Sequence, residues 1–318
     1  MKLERGVRAK NRIPPAWFLF FFAPLTAEYI SGSSPYLNPF VLLANLLLYG
    51  PGALLIRELK VRWRKGWLAV FILAVAYVVA EEGLMLNTLF DPTKNTTGRL
   101  WGVNWVWTAG MVVVHSLVSI FAPILLAEAI YYEKANEAWV KPRTLGILLA
   151  AFAANVFGLG RLIAPSHRPG AIYYLAEAAI IGVCVWLANR VPAPAPATAE
   201  PKPHHSPRWL YFASLSGMVV TMVVGFAAPA LPMPGVVKVV LMLTVYLGFL
   251  GFLHRRRAFD PGLDPLSRFA VACGVISFWV LAAPLGALAK GNVGPVVFAV
   301  LTAGFLVSVH KRLKTGLA

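Results

Sequence analysis

The chain has 318 residues, of which 58% are hydrophobic and only 13% charged. A soluble globular domain carries about 25% charged residues, so a soluble fold is excluded and an integral membrane protein is expected. The formal charge of +16 does not point to nucleic acid, because Lys and Arg collect in the cytoplasmic loops of polytopic proteins.

Five basic residues (Lys2, Arg5, Arg8, Lys10, Arg12) precede the first apolar segment, 16–30. That segment is shorter than the ~20 residues a span usually takes. No A-x-A cleavage site follows it, so it reads as a retained helix and not a signal peptide. Segment 2, 38–56, ends in a basic turn, 57–65. Segment 3, 67–90, carries an adjacent carboxylate pair, Glu81 and Glu82. Segment 4, 104–132, contains His115. Segments 5 (145–159) and 6 (171–188) follow, then the tract VPAPAPATAEPKPHHSP at 191–207. Such a Pro/Ala-rich stretch cannot build a core and reads as an extended linker. Segments 7 to 10 fall at 209–228, 236–253, 266–288 and 293–309.

These ten spans make an all-α polytopic transmembrane bundle. With the N-terminus placed inside, all but six of the 29 Lys and Arg lie on the inner side; the six are Lys94, Arg99, Arg161, Arg168, Lys238 and Lys290. Both termini are therefore expected in the cytoplasm of a multi-pass cell-membrane protein. The organisation expected is a site-bearing six-helix unit (1–190), a linker (191–208) and an accessory four-helix unit (209–318). The partners expected are the bilayer itself and, at the basic cytoplasmic loops, anionic lipid headgroups, above all at His254–Arg257.

Carboxylates inside a span are costly, and they face a bundle interior or a wet cavity. At about 1.5 Å per residue, Glu81 and Glu82 lie roughly 12–14 Å from the outer end of segment 3, and His115 roughly 16 Å from the same face. Consecutive antiparallel spans tend to pack side by side. The three residues therefore form one candidate site. Glu28, Asn45, Asn155 and Glu177 fall at similar depths. Ser119 stands one turn beyond His115. Asn87 closes a stripe of small residues (Ala76, Ala80, Gly83) suited to close helix packing. Neighbours on a helix diverge by about 100°, so Glu81 and Glu82 flank that stripe on opposite sides, and both flanks are expected to need polar partners or water. Pro123 lacks an N–H, which frees the Ser119 carbonyl and predicts a kink beside the histidine.

Other polar groups have plainer readings. Arg57 and Glu58 are read as interfacial anchors, and Glu128 as a separate cytoplasm-side group. Cys184 and Cys273 form no disulfide framework and read as small buried hydrophobes. His167, His204 and His205 read as solvated loop residues. Asn95-Thr96-Thr97 matches a glycosylation pattern, which matters only in a secretory setting.

The stretch AEEGLMLNTLF, followed by a helix with a histidine, resembles the CAAX-protease and bacteriocin-processing family of intramembrane metalloproteases over about 60 residues of this chain. That family carries E-E-x-x-x-R and then F-x-x-x-H; here Leu86 stands at the arginine position and Met111 at the phenylalanine position. The resemblance implies that Glu81 or Glu82 is the base that activates water, that His115 is a metal or oxyanion group, and that a divalent metal such as zinc is bound. Three readings stay open: a protease-like hydrolase, a transporter or permease component coupling protons or cations through the glutamate pair, and a non-catalytic membrane scaffold.

Overall fold

The structure is a computed structural model that describes residues 13–35, 37–93, 97–163, 167–194 and 205–315. Ten helices run through it in chain order. Helix α1 (Pro15–Pro24) continues as a π-helical turn, Leu25–Tyr29. The others are α2 (Pro39–Arg62), α3 (Trp67–Met85), α4 (Trp105–Ile130), α5 (Pro142–Ile163), α6 (Ala171–Arg190), α7 (Pro207–Ala230), α8 (Gly235–Arg255), α9 (Pro265–Ala289) and α10 (Gly294–Lys314). Helices α2 to α10 are each long and apolar enough to cross a membrane. The first expected span is helical too, but at 15 residues it reaches roughly 22 Å, short of a ~30 Å hydrocarbon core. Its Leu19, Ala23 and Ile30 are fully buried, so it sits within the bundle.

Polar residues at the helix ends explain where the spans begin. Asn38, Asn104, Ser206 and Asp264 each cap a helix, accepting backbone N–H groups through the side chain. Between α3 and α4 the chain makes a small hairpin, β1 (Arg99–Leu100) and β2 (Val103–Asn104). Its two turn residues, Trp101 and Gly102, both have positive φ (52° and 76°), as a tight two-residue turn requires.

Burial ranks the helices. In α3, 83% of the membrane window is buried, and in α4 78%, against 17% in α5 and in α6. Helices α3 and α4 are therefore the centre of the bundle. Helix α2 packs on α1 and α5, and α6 packs on α3. Helix α8 lies against the first half of α4 and α9 against its second half, with α7 and α10 outside them. A bond between Ser116 of α4 and Tyr246 of α8 (2.8 Å) crosses between the two stretches that flank residues 191–208. Residues 195–204 of that tract lie outside the described residues, as do Asn95 and Thr96. His205 stacks on Trp209 with ring centres 4.1 Å apart. Cys273 is buried, whereas Cys184 is only half-buried.

One expectation is corrected at the basic face. Arg57 and Glu58 are fully buried and are not interfacial anchors. Arg57 donates to Glu58 (2.8 Å) and to the carbonyls of Lys134, Ala135 and Glu137. Glu128 accepts from Lys60 at 2.6 Å and faces Arg57 and Arg268 at 3.6 Å each. The loop after α4 folds back over the end of α2, so a charge near a helix end is enclosed by protein. A buried guanidinium is tolerated because paired carboxylates and carbonyls replace its water.

Candidate functional site

Four of the ten helices contain a stretch of π-helix: Leu25–Tyr29 in α1, Val79–Met85 in α3, His115–Phe121 in α4 and Asn155–Leu159 in α5. Each carries at least one of the polar residues singled out from the sequence: Glu28; Glu81 and Glu82; His115 and Ser119; Asn155. The π turns of α1 and α4 touch each other, as do those of α3 and α5. Such wide turns are rare and cluster at functional sites. In α4 the cause is legible: Pro123 has no N–H to give, and the ladder shifts so that Ala122 N–H reaches Leu117 O. The kink expected there is a widened turn.

At the centre stands His115, 5% exposed. Its Nε2 is 3.2 Å from Glu82 Oε1. Its Nδ1 is 3.0 Å from Ser119 Oγ and 3.3 Å from Glu81 Oε2. One imidazole thus meets both glutamates, which were expected on opposite flanks of the small-residue stripe. A π turn holds more residues than an α turn, so consecutive side chains diverge by less than 100° and both carboxyls swing to the same side.

Further donors complete the group. Glu82 Oε2 accepts from the Thr88 hydroxyl and from Trp107 Nε1 (3.4 Å). The Tyr49 hydroxyl of α2 lies between Glu28 Oε1 (2.5 Å) and Glu81 Oε1. Ser34 Oγ donates to the other oxygen of Glu28 at 2.6 Å. The result is one unbroken polar chain: Ser34, Glu28, Tyr49, Glu81, His115, Glu82, then Thr88 and Trp107. It threads four helices, and both ends lie near the face opposite the Arg57–Glu128 network.

Glu81 Oε2 has no hydrogen bond of its own although it is buried. The proton positions follow from this. When His115 Nδ1 carries a proton, it faces both Ser119 and Glu81. When Nδ1 is bare, it accepts from the Ser119 hydroxyl, and Glu81 Oε2 must hold the proton itself to avoid setting two lone pairs against each other. The site therefore has two arrangements that differ by which of two atoms, His115 Nδ1 or Glu81 Oε2, holds one proton; the two atoms are 3.3 Å apart.

Not every candidate joins this chain. Asn45 reaches Tyr29 Oη at 3.4 Å, beside Glu28. Asn155 donates to Ala44 O (3.0 Å) and lies against Met85 sulfur, knitting α5 to α2 and α3. Asn87 ends α3 in the left-handed region (φ 56°), which asparagine tolerates, and meets Tyr174 Oη at 2.8 Å. This turn brings Thr88 back beside Glu82. Glu177 of α6 packs against Gly83, across α3 from the polar chain, with neither carboxyl oxygen hydrogen-bonded. Sequence reading missed Tyr49, Thr88, Trp107 and Ser34. A tyrosine within LLLYGPG carries no mark of its role. Thr88 and Trp107 had a weak signal, as polar or indole groups at the outer ends of the two helices that bear the site.

The chain belongs to an uncharacterized membrane protein family, whose model matches residues 18–316. No curated protein and no solved structure matches it.

Proposed function

We propose that this member of the family is a proton-coupled transporter or permease component of the cell membrane, in which the Glu81–His115–Glu82 group binds and releases a proton. The observation that carries the reading is the carboxyl at each nitrogen of one buried imidazole, extended through Tyr49 to a third carboxyl. Polar glue between helices needs one or two hydrogen bonds, whereas this chain aligns three carboxyls, an imidazole and a phenol. Intramembrane Glu and His in series are the usual parts of proton relays in pumps and transporters. In this reading the basic face, with both termini, lies in the cytoplasm against anionic headgroups, and the proton chain opens toward the other side.

A second reading is the metal-dependent hydrolase that the AEEGLMLNTLF motif suggests. One observation favours it: Glu81, Glu82 and His115 each offer a ligand atom, and these atoms lie within 4.8 Å of one another. A divalent cation such as zinc would take one ring nitrogen, leaving the other bonded to a carboxylate as metal-bound histidines usually are. The 3.2 Å between His115 Nε2 and Glu82 Oε1 is also a spacing that two ligands of one metal take. The proton reading is preferred because it accounts for Tyr49 and Glu28 as well.

A pH step applied to proteoliposomes on a solid-supported membrane tests the proposal. Proton binding to the cluster gives a transient charge displacement, which should disappear in Glu81→Gln and in Glu82→Gln. Absence of the transient in the parent protein would refute the proton reading. If, in addition, one zinc per chain is retained by the parent and lost in the double variant, the hydrolase reading takes its place. If neither signal exists and the variants only melt earlier, the group is structural.

A further inference from the structure

Helices α7, α9 and α10 enclose a groove of about 460 Å³ whose lining includes no member of the polar chain. This volume is within the range of small-molecule sites. Its walls are almost wholly apolar, and along α9 they extend from Leu266 to Leu281, about fifteen residues or roughly 22 Å. Phe212 and Leu281, which line it, stand exposed on helices long and apolar enough to cross a membrane. At one end only, the lining turns cationic: Arg208 from the first turn of α7 and Lys311 from the last turn of α10, with the His310 ring beside them. Neither Arg208 nor Lys311 has an ion-pair partner among the described residues. This contrasts with the nearby Arg268, which faces Glu128.

We infer that this groove is a binding site for an anionic phospholipid, with its phosphate held by Arg208 and Lys311 and one acyl chain laid between α7, α9 and α10. Charge complementarity selects the occupant. Among the described residues the groove lining holds no carboxylate to pair with these two cations, and a guanidinium presents a fork that suits a phosphate. The apolar length below them exceeds the ~15 Å half-thickness of the hydrocarbon core, enough for a chain to lie along the helices. Within the walls the Tyr211 hydroxyl donates to Ser277 Oγ at 3.1 Å, so these two polar groups are partly satisfied by each other. The site is independent of the proton chain and does not rest on it.

The test uses the full-length protein reconstituted in nanodiscs of equimolar phosphatidylglycerol and phosphatidylcholine. Native mass spectrometry after release from the disc reads the lipids that stay bound. The parent should retain phosphatidylglycerol in preference to phosphatidylcholine. Arg208→Gln/Lys311→Gln, both exposed and free of folding duties, should reduce that preference by about fivefold per charge removed. Ala303→Trp, which fills the groove, should lower retention of both lipids. A parent that retains no lipid, or retains both equally, overturns the proposal. So does a charge variant whose preference is unchanged, or a dimer that covers this face in place of lipid.

Discussion

His115 and Glu82, 33 residues apart on neighbouring helices, meet through Nε2 and Oε1 at 3.2 Å. The contact ties α4 to α3 inside the bundle, between two buried side chains. Breaking a buried pair by removing one partner usually costs ~3–5 kcal/mol, because the other group is left without compensation. His115→Ala should therefore lower the melting temperature in detergent sharply, and Glu82→Gln, which keeps an acceptor for the ring, should lower it less. Equal and small effects would mean that water already fills the site.

Tyr49→Phe isolates the relay from the fold. The ring stays, packed 6.0 Å from Tyr77 and 6.2 Å from His115, but the hydroxyl that meets both Glu28 and Glu81 is lost. The hydroxyl has one proton to give, so one carboxyl loses a donor and the other loses an acceptor for its own proton, at about 1–3 kcal/mol. The charge displacement after a pH step should shrink as well, since Glu28 is cut off from the rest. An unchanged transient would show that Glu28 takes no part.

Trp107 offers an optical readout of the same group, because its indole N–H donates to Glu82 Oε2 at 3.4 Å. Of the ten tryptophans, this one touches the cluster. Protonation changes at Glu82 should alter its emission, giving a pH-dependent component that is lost in Trp107→Phe and in Glu82→Gln. Persistence of the component in either variant would assign it elsewhere.

How much of this was legible beforehand follows from which residues announce themselves. Glu81, Glu82 and His115 do, because ionisable groups are conspicuous in apolar runs and helical rise fixes their depth. Tyr49 does not, since tyrosine is ordinary in a span and its register against two other helices is a tertiary fact. The π turns are written nowhere except at Pro123. Arg57 and Glu58 misled for the opposite reason. Their distance from the helix end suggested an interface, but burial there is decided by the loop at 134–140, which folds over them.

Glu128 separates the two polar clusters experimentally. In Glu128→Gln, Lys60 (2.6 Å) and the more distant Arg57 and Arg268 lose their shared anion. Stability should fall by a few kcal/mol, as for other broken buried pairs. The pH-step transient of the remaining folded protein should keep its amplitude per molecule, because Glu128 lies thirteen residues, about 20 Å, along α4 from His115. A lost transient in well-folded Glu128→Gln would make the two clusters parts of one pathway.

Gly50 links packing to chemistry. A Cβ at this position would stand 2.7 Å from the backbone carbonyl of Phe20 and 2.8 Å from its ring. Backbone cannot yield as a flexible side-chain tip can, so α1 and α2 must separate to admit even one methyl. Overpacking of this kind costs about 1–3 kcal/mol. Because Gly50 follows Tyr49 on α2, and Glu28 rides on the helix that would be pushed away, Gly50→Ala should also lengthen the Tyr49–Glu28 hydrogen bond. The expected result is a lower melting temperature together with a partial loss of the proton signal, resembling Tyr49→Phe in function although no polar atom is removed. Adding Tyr49→Phe to Gly50→Ala should then reduce the signal no further than Tyr49→Phe alone, since both changes act on one link. A fully additive loss would place the effect of Gly50 elsewhere in the α1–α2 interface.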